Sequence, residues 1–483
     1  MIALLSLAFA GSFDDFDSAT ATEPKLDALF AVLDDESLAT DHPLAWSKLG
    51  QVFADEGLEG AAIIAWSHAF ESTDTPPDAA VQAIELADEV GDAAVVAGPL
   101  AAHDSLSIKD GDARSHVAYV VARDQLRRDN LGPSIHWLKK VDGESPDFAD
   151  AEALRAVVLA NQGKNEAALV PLQTARALGV SKHKGERFDQ KIVMNLARVY
   201  YATDNWGQSI YHYKQIPRSS EYWAEAHFEQ AWANFRGANM PGTIGLLLSH
   251  SSPFLEDLWY PEADMLRAQA LFMMCKFGTA VEEMNRFQER YTPIQEKLDA
   301  ALSGMDEEAA YTDLGHYLDQ SGWSTPGILL RKYRTEDRIA ESRQAVAHYR
   351  AEADELESIG KHADKVGAWL DSRADAIVQV EGARILSRLQ TQRDELSQML
   401  TDLELARIDI LQLESRLYEQ AAATGVLQDV KADRIGKLRN LKKSKKGYQV
   451  WPFEGEYWAD EVGWYEVHTR SDCPENLARK IGG

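Results

Sequence analysis

Residues 46–77 read WSKLGQVFADEGLEGAAIIAWSHAFESTDTPP, and their spacing decides the fold class. Trp46, Leu49 and Phe53 recur at i, i+3 and i+7, which places them on one face of a first helix. Gly57 offers the permissive dihedrals that end such a helix. Ala62, Trp66 and Ala69 then line a second helix, and Asp74 with Pro76-Pro77 stops it. Gly50 leaves room for the second helix to approach, with small Ala62 facing it. This large-against-small interlock is the physics of a helix hairpin in a repeat array.

Working outward, the same offsets return in degenerate form. Ala153, Ala156, Leu159, Gly163, Ala168, Leu172 and Ala175 repeat them well. Leu196, Ala197, Tyr200, Tyr201, Asn205, Ser209, Tyr213 and Ile216 do so with Ser in the small slot. Poorer copies run through Ile84, Ala87, Gly91 and Val95, and through Ala118, Val121, Leu126, Ser134, Trp137 and Leu138. Two more contain Ala226, Ala231, Trp232, Phe235 and Ile244, then Ala268, Leu271, Cys275, Ala280, Met284 and Phe287. The reading is six or seven helix pairs over about 24–292, more than the roughly three needed to bury a continuous core.

Tyr291-Thr292-Pro293 reads as the end of the array, followed by a helical joint broken by Gly304, Gly322 and Pro326-Gly327. Leu389, Leu396, Leu403, Ile410 and Leu417 then recur every seven residues, with Met399, Ala406 and Leu413 in the complementary seam. That is a coiled-coil pattern. It predicts two long helices in an antiparallel hairpin, with self-association through the seam as the alternative. The last residues turn basic, then aromatic. Lys437, Arg439, Lys442, Lys443, Lys445 and Lys446 are candidates for an anionic partner, against the competing reading that they pair with the chain's own acidic surface. Tyr448, Trp451, Phe453, Tyr457, Trp458, Trp464 and Tyr465 are expected to dock on the repeats, because a free aromatic cluster invites aggregation.

The charge is uneven. Residues 1–110 hold 21 Asp/Glu against 3 Lys/Arg, so they carry −18 of the total −27. An acidic body repels phosphates and argues against general nucleic-acid binding. MIALLSLAFA at 1–10, ending Ala8-Phe9-Ala10, reads as a signal peptide, although no Lys or Arg precedes the apolar run. A first apolar helix in a cytoplasmic protein is the alternative. No later apolar run approaches the roughly 18 residues needed to span a bilayer. Cys275 and Cys473 lie far apart and are read as separate thiols, with pairing left as the alternative in an oxidising compartment. No phosphate-binding, zincin or nucleophile-elbow motif occurs, and the 13 His are scattered. The expectation is no catalysis, no cofactor and no metal.

The residues of 46–77 and their copies resemble the tetratricopeptide (TPR) pattern. The resemblance covers about 24–292 and implies a helix-hairpin superhelix that assembles proteins. With the presequence and coiled coil, the chain is similar to envelope TPR proteins of Gram-negative bacteria, among them Tol-Pal coordinators and gliding-motility components. Ser252-Pro253-Phe254, Pro261-Glu262-Ala263, Cys275, Ala280 and Phe287, with the WPFEGEYW tail, look like an uncharacterised TPR group of delta-type proteobacteria. In the Tol-Pal coordinators the coiled coil precedes the repeats, whereas here it follows them.

The whole reading is an all-α chain. It comprises a signal peptide (1–10), a flexible acidic segment (11–23), a TPR-like solenoid (24–292), a helical joint (293–334), coiled-coil helices (335–430) and a basic run with aromatic tail (431–483). The function expected is a periplasmic or envelope scaffold binding other proteins. A cell-wall or anionic-envelope binding module is the second reading, and an enzyme whose site assembles only in three dimensions is the third.

Overall fold

The computed structural model describes residues 13–72, 77–103, 107–181, 183–424 and 455–473. The presequence and the basic run 431–446, with its six candidate cations, lie outside the described residues, as do Tyr448, Trp451 and Phe453. The fold is all-α: twenty α-helices and no strand occur among the described residues.

Two short opening elements, α1 (Asp14–Ser18) and α2 (Thr22–Asp34), precede the pairs. Seven helix pairs follow in tandem. They are α3 (His42–Asp55) with α4 (Glu59–Ala69), α5 (Pro77–Val90) with α6 (Ala93–Leu100), α7 (Gly111–Arg127) with α8 (Leu131–Leu138), and α9 (Phe148–Asn161) with α10 (Asn165–Ser181). After these come α11 (Glu186–Ala202) with α12 (Trp206–Tyr213), α13 (Trp223–Arg236) with α14 (Met240–His250), and α15 (Pro261–Met273) with α16 (Phe277–Leu302).

One backbone device recurs in every pair. A residue one or two positions past the end of the first helix has a positive φ, at Gly57, Gly91, Asp129, Gly163, Asp204, Ala238 and Cys275. The next residue's N–H returns to a carbonyl five positions back, as from Leu58 to Phe53 and from Lys276 to Leu271. This six-to-one closure satisfies a carbonyl that the helix end would otherwise leave open.

The interlock recurs with it. Small residues twelve positions apart recur as Gly50/Ala62, Ala156/Ala168 and Ala268/Ala280, all buried, and the Trp66 ring lies against Gly50. In two pairs the second member is a hydroxyl that bonds the first: Ser134 Oγ donates to the Ala122 carbonyl at 2.8 Å, and Thr243 Oγ1 to that of Ala231 at 3.3 Å. In the second pair the slot holds larger buried residues, Ile84 and Val96.

The chain forms two compact units, each described by itself. The first comprises 1–182, 307–312 and 333–384, and the second 183–306, 313–332 and 385–483. Each unit holds both repeat helices and later helices of the chain.

In the first unit α19 (Asp337–Asp354) leads through a 3-10 turn (Leu356–His362) into α20 (Ala363–Thr424). The antiparallel hairpin is present here, since Arg338 pairs with Glu381 and Arg350 with Asp375. It packs on the repeats rather than standing apart. Tyr349, Val366, Leu370 and Ala374 share one buried cluster with Leu49, Phe53, Trp66 and Ile84. Buried Glu352 accepts the N–H groups of Gly60 and Ala61 at 2.7 and 2.8 Å, where α4 begins. A carboxylate suits that end of a helix, whose first N–H groups lack partners. Asp92 takes Arg373 through both oxygens, at 2.6 and 2.7 Å, and the Tyr349 hydroxyl at 2.9 Å.

In the second unit the heptad seam is buried, but not against a partner helix. Leu396, Leu403 and Ile410 of α20 join Ala268, Leu271, Met284, Phe287 and Tyr291 of α15 and α16 in one cluster. The chain's own repeat helices therefore cover the surface that the alternative reading gave to self-association. Pro293 does not end the array either: α16 continues through it to Leu302. The break costs about 3 kcal/mol. Buried Phe287, Tyr291 and Leu298, at roughly 1.5–3 kcal/mol each, outweigh it. The region expected as a joint becomes α17 (Glu307–Asp319), α18 (Gly327–Leu330) and a 3-10 turn (Arg331–Thr335).

A Cβ added at Gly50 would fall 2.5 Å from the Trp66 ring, whereas one at Gly132 in α8 meets nothing within 4 Å. Gly50→Ala is therefore expected to lose about 1–3 kcal/mol in denaturant unfolding. Gly132→Ala should gain about 0.5–1 kcal/mol from helix propensity. Equal stability of the two variants would remove the interlock from this account.

Candidate functional site

The first unit contains a cleft of about 320 Å³. One wall comes from the turn between α5 and α6 (Gly91, Asp92, Ala93, Ala94) and from the C-terminal end of α7 (Asp124, Arg127, Arg128). The other comes from the hairpin: Arg338, Glu341 and Ser342 on α19, and Arg373, Ala376, Ile377, Val380 and Glu381 on α20. Gly91 is needed at the rim, because a Cβ there would fall 2.6 Å from the Glu341 carbonyl oxygen.

Four arginines and four carboxylates line the cleft, and each arginine is braced by an acid. Arg373 is held by Asp92, Arg128 by Asp124 at 2.7 Å, Arg127 by Glu341 at 2.7 Å, and Arg338 by Glu381. Asp92, Asp124 and Glu381 are buried, while the four guanidiniums keep between 26% and 49% of their side-chain surface exposed. Burial works against the charge of Arg373, but its hydrogen bond to Asp92 prevails and raises its pKa. Burial first, and the Asp92 charge second, push Tyr349 well above the usual phenol range. Asp92, Asp124 and Glu381 thus form a rear layer behind their arginines, Glu341 stays as exposed as the Arg127 it pairs with, and Ala93, Ile377 and Val380 supply an apolar floor. Such an arrangement can hold a ligand.

Beside this cleft, α7 carries an ion ladder between successive pairs. His116 bridges Asp88 and Asp147, both at 3.1 Å, and Arg123 also reaches Asp88 at 3.1 Å. Hydrogen bonds to Asp147 and then Asp88 raise His116 to about 9. Burial would raise Asp88, but His116 and Arg123 hold it below its usual value.

In the second unit the aromatic tail lies on repeat helices, through backbone and valines more than through tryptophans. Arg218 donates to the carbonyls of Ala459 and Asp460, and the Gly463 N–H donates to Ser249 Oγ at 2.8 Å. Val462 and Val467 are buried, whereas Trp458 and Trp464 remain exposed at 60% and 68%. Lys276 pairs with Asp472 at 2.8 Å, and Cys275 is joined to Cys473 by a disulfide. This corrects the reading of two separate thiols. The residues are 198 apart in sequence, and only the docked tail brings their Cα atoms to 5.0 Å.

His227 and His250 are packing histidines. Burial, the leading cause for both, lowers them to about 4 and about 3. His227 stacks on Trp223 at 4.9 Å, and His212 stacks on Tyr200 at 5.3 Å. Among the described residues no group of three or more His, Cys, Asp or Glu is placed to hold a metal ion. No described helix is long and apolar enough to cross a membrane. The candidate cations Lys437 to Lys446 fall outside the described residues. The cleft arginines were not singled out from the sequence, since their braces lie up to 281 residues away. Comparison with protein-family models and with curated proteins finds no match.

His116 gives a pH prediction with a definite sign. A histidine raised in the folded state stabilises fully below the unfolded value near 6.5, and its contribution fades as pH rises through about 9. The His116 ring should titrate near pH 9 by NMR. Thermal stability should fall between pH 7 and 9.5 by more in the native chain than in His116→Asn. A midpoint near 6.5 would contradict the bridge.

Proposed function

We propose that this protein is a non-enzymatic scaffold of the TPR type, exported to the bacterial cell envelope, that holds partner proteins. The observation that carries the scaffold reading is the sevenfold recurrence of left-handed turn and helix pair, the local geometry a TPR resemblance calls for. Repeat arrays of this kind present extended binding surfaces. Here the hairpin and the seam of α20 pack on repeat helices in their respective units. Partners therefore engage what those helices leave open: the arginine-lined cleft and the exposed Trp458 and Trp464. The Cys275–Cys473 bond supports export, since structural disulfides persist in oxidising compartments, and so does the presequence.

Photo-crosslinking in intact cells from position 464 is expected to recover envelope proteins, and the mature chain should lack its first ten residues by mass. Recovery of cytosolic proteins alone, from a chain that keeps Met1, would overturn the reading.

A further inference from the structure

We propose that the arginine-lined cleft of the first unit is a receptor for an acidic segment of a partner protein that alternates carboxylate with aliphatic side chains. The inference rests on the scaffold reading and names the partner's chemistry at one of its surfaces.

Three features of the cleft carry it. The first is the layering of charge. Formally the four arginines and four carboxylates cancel, yet they are not equally accessible. Asp92, Asp124 and Glu381 are buried behind their partners, and both oxygens of Asp92 are engaged by Arg373. Glu381 is shared between Arg338 and Arg384. A ligand entering the cleft therefore meets guanidinium surface more than carboxylate surface. Guanidinium matches a carboxylate in planar, two-point fashion.

The second feature is preorganisation. Each arginine is already held in place by an acid, so a ligand need not order a long side chain on binding. Bracing of this kind is a poor device for stability alone. Pairing buried charges often does no better than apolar packing, because desolvation offsets the attraction. The same bracing is well suited to presenting several cations at fixed positions.

The third feature is the floor. Val380 is 60% exposed on α20 although it stands among paired charges, and Ile377, Ala376 and Ala93 continue the apolar surface beneath it. An aliphatic side chain would cover that surface while flanking carboxylates reach the arginines on either wall. The volume of about 320 Å³ suits a few side chains rather than a folded domain. Polymeric phosphate fits less well. It has nothing to place on the aliphatic floor, whereas the proposed segment covers that floor with its aliphatic side chains.

The test uses the full chain and fluorescence anisotropy with a labelled tetrapeptide, Glu-Val-Glu-Leu, and its neutral counterpart, Gln-Val-Gln-Leu. The acidic peptide should bind at least tenfold more tightly than the neutral one and weaken as salt is raised. Val380→Glu puts a carboxylate into the cleft from an exposed position. It should reduce binding more than tenfold while leaving thermal unfolding unchanged. Val380→Ala should give a smaller loss. Equal binding of the two peptides, undiminished binding to Val380→Glu, or displacement by inorganic phosphate as effective as by unlabelled peptide would each overturn the proposal. Envelope crosslinks from position 464 that persist beside a failed peptide test would leave the scaffold reading standing and remove only this assignment.

Discussion

Asp92 follows the left-handed Gly91 in the turn between α5 and α6, almost wholly buried, and receives Arg373 through both oxygens and the hydroxyl of Tyr349. The turn itself puts it there, since its own N–H closes back on the Ala87 carbonyl. A residue fixed by the repeat's local geometry thus grips a hairpin that begins some 245 positions later (Asp337). Stripping one member from such a buried, hydrogen-bonded group typically costs about 3–5 kcal/mol, because the remainder stays desolvated. With Glu352 at the start of α4, it sets which face of the hairpin meets the first three helix pairs. The cleft is a consequence, for it opens beside the same Arg373.

Repeat arrays ordinarily leave one face of their first helices to a ligand. In this protein, within each unit, the repeat helices are packed by later helices of the same chain. The first unit uses the hairpin through Asp92 and Glu352, and the second uses the seam of Leu396, Leu403 and Ile410. In the second unit the tail adds a strap held at Ser249, Lys276 and the disulfide. Successive pairs are also tied to each other at repeat spacing, by His116 with Asp88 and Asp147, and by Arg187 with Glu221.

Much of this was legible in the sequence, and the exceptions have physical causes. Gly57, Gly91 and Gly163 mark their turns openly because glycine adopts positive φ freely. Asp129, Asp204, Ala238 and Cys275 hold the same left-handed φ without a glycine to advertise it, so those copies look degenerate. The heptad of Leu396, Leu403 and Ile410 announced a buried face correctly. Periodicity reports that a face is covered and not what covers it, and the cover proved to be α15 and α16. Pro293 read as a stop because local propensity cannot see Tyr291 and Leu298 buried on either side of it. The cleft left no local trace: Arg127 and Glu341 are 214 residues apart, and no short motif joins them. Cys275 and Cys473 could be paired only once the tail had a place to lie.

The central claim is that the hairpin and the early repeats of the first unit are one cooperative body anchored at Asp92. The most direct measurement is hydrogen exchange by mass spectrometry on full-length Asp92→Ala beside the native chain. The account predicts that residues 337–384 and residues 77–127 lose protection together in the variant, with little change over 186–250. Loss confined to the hairpin, with the helices of 77–127 as protected as before, would contradict it.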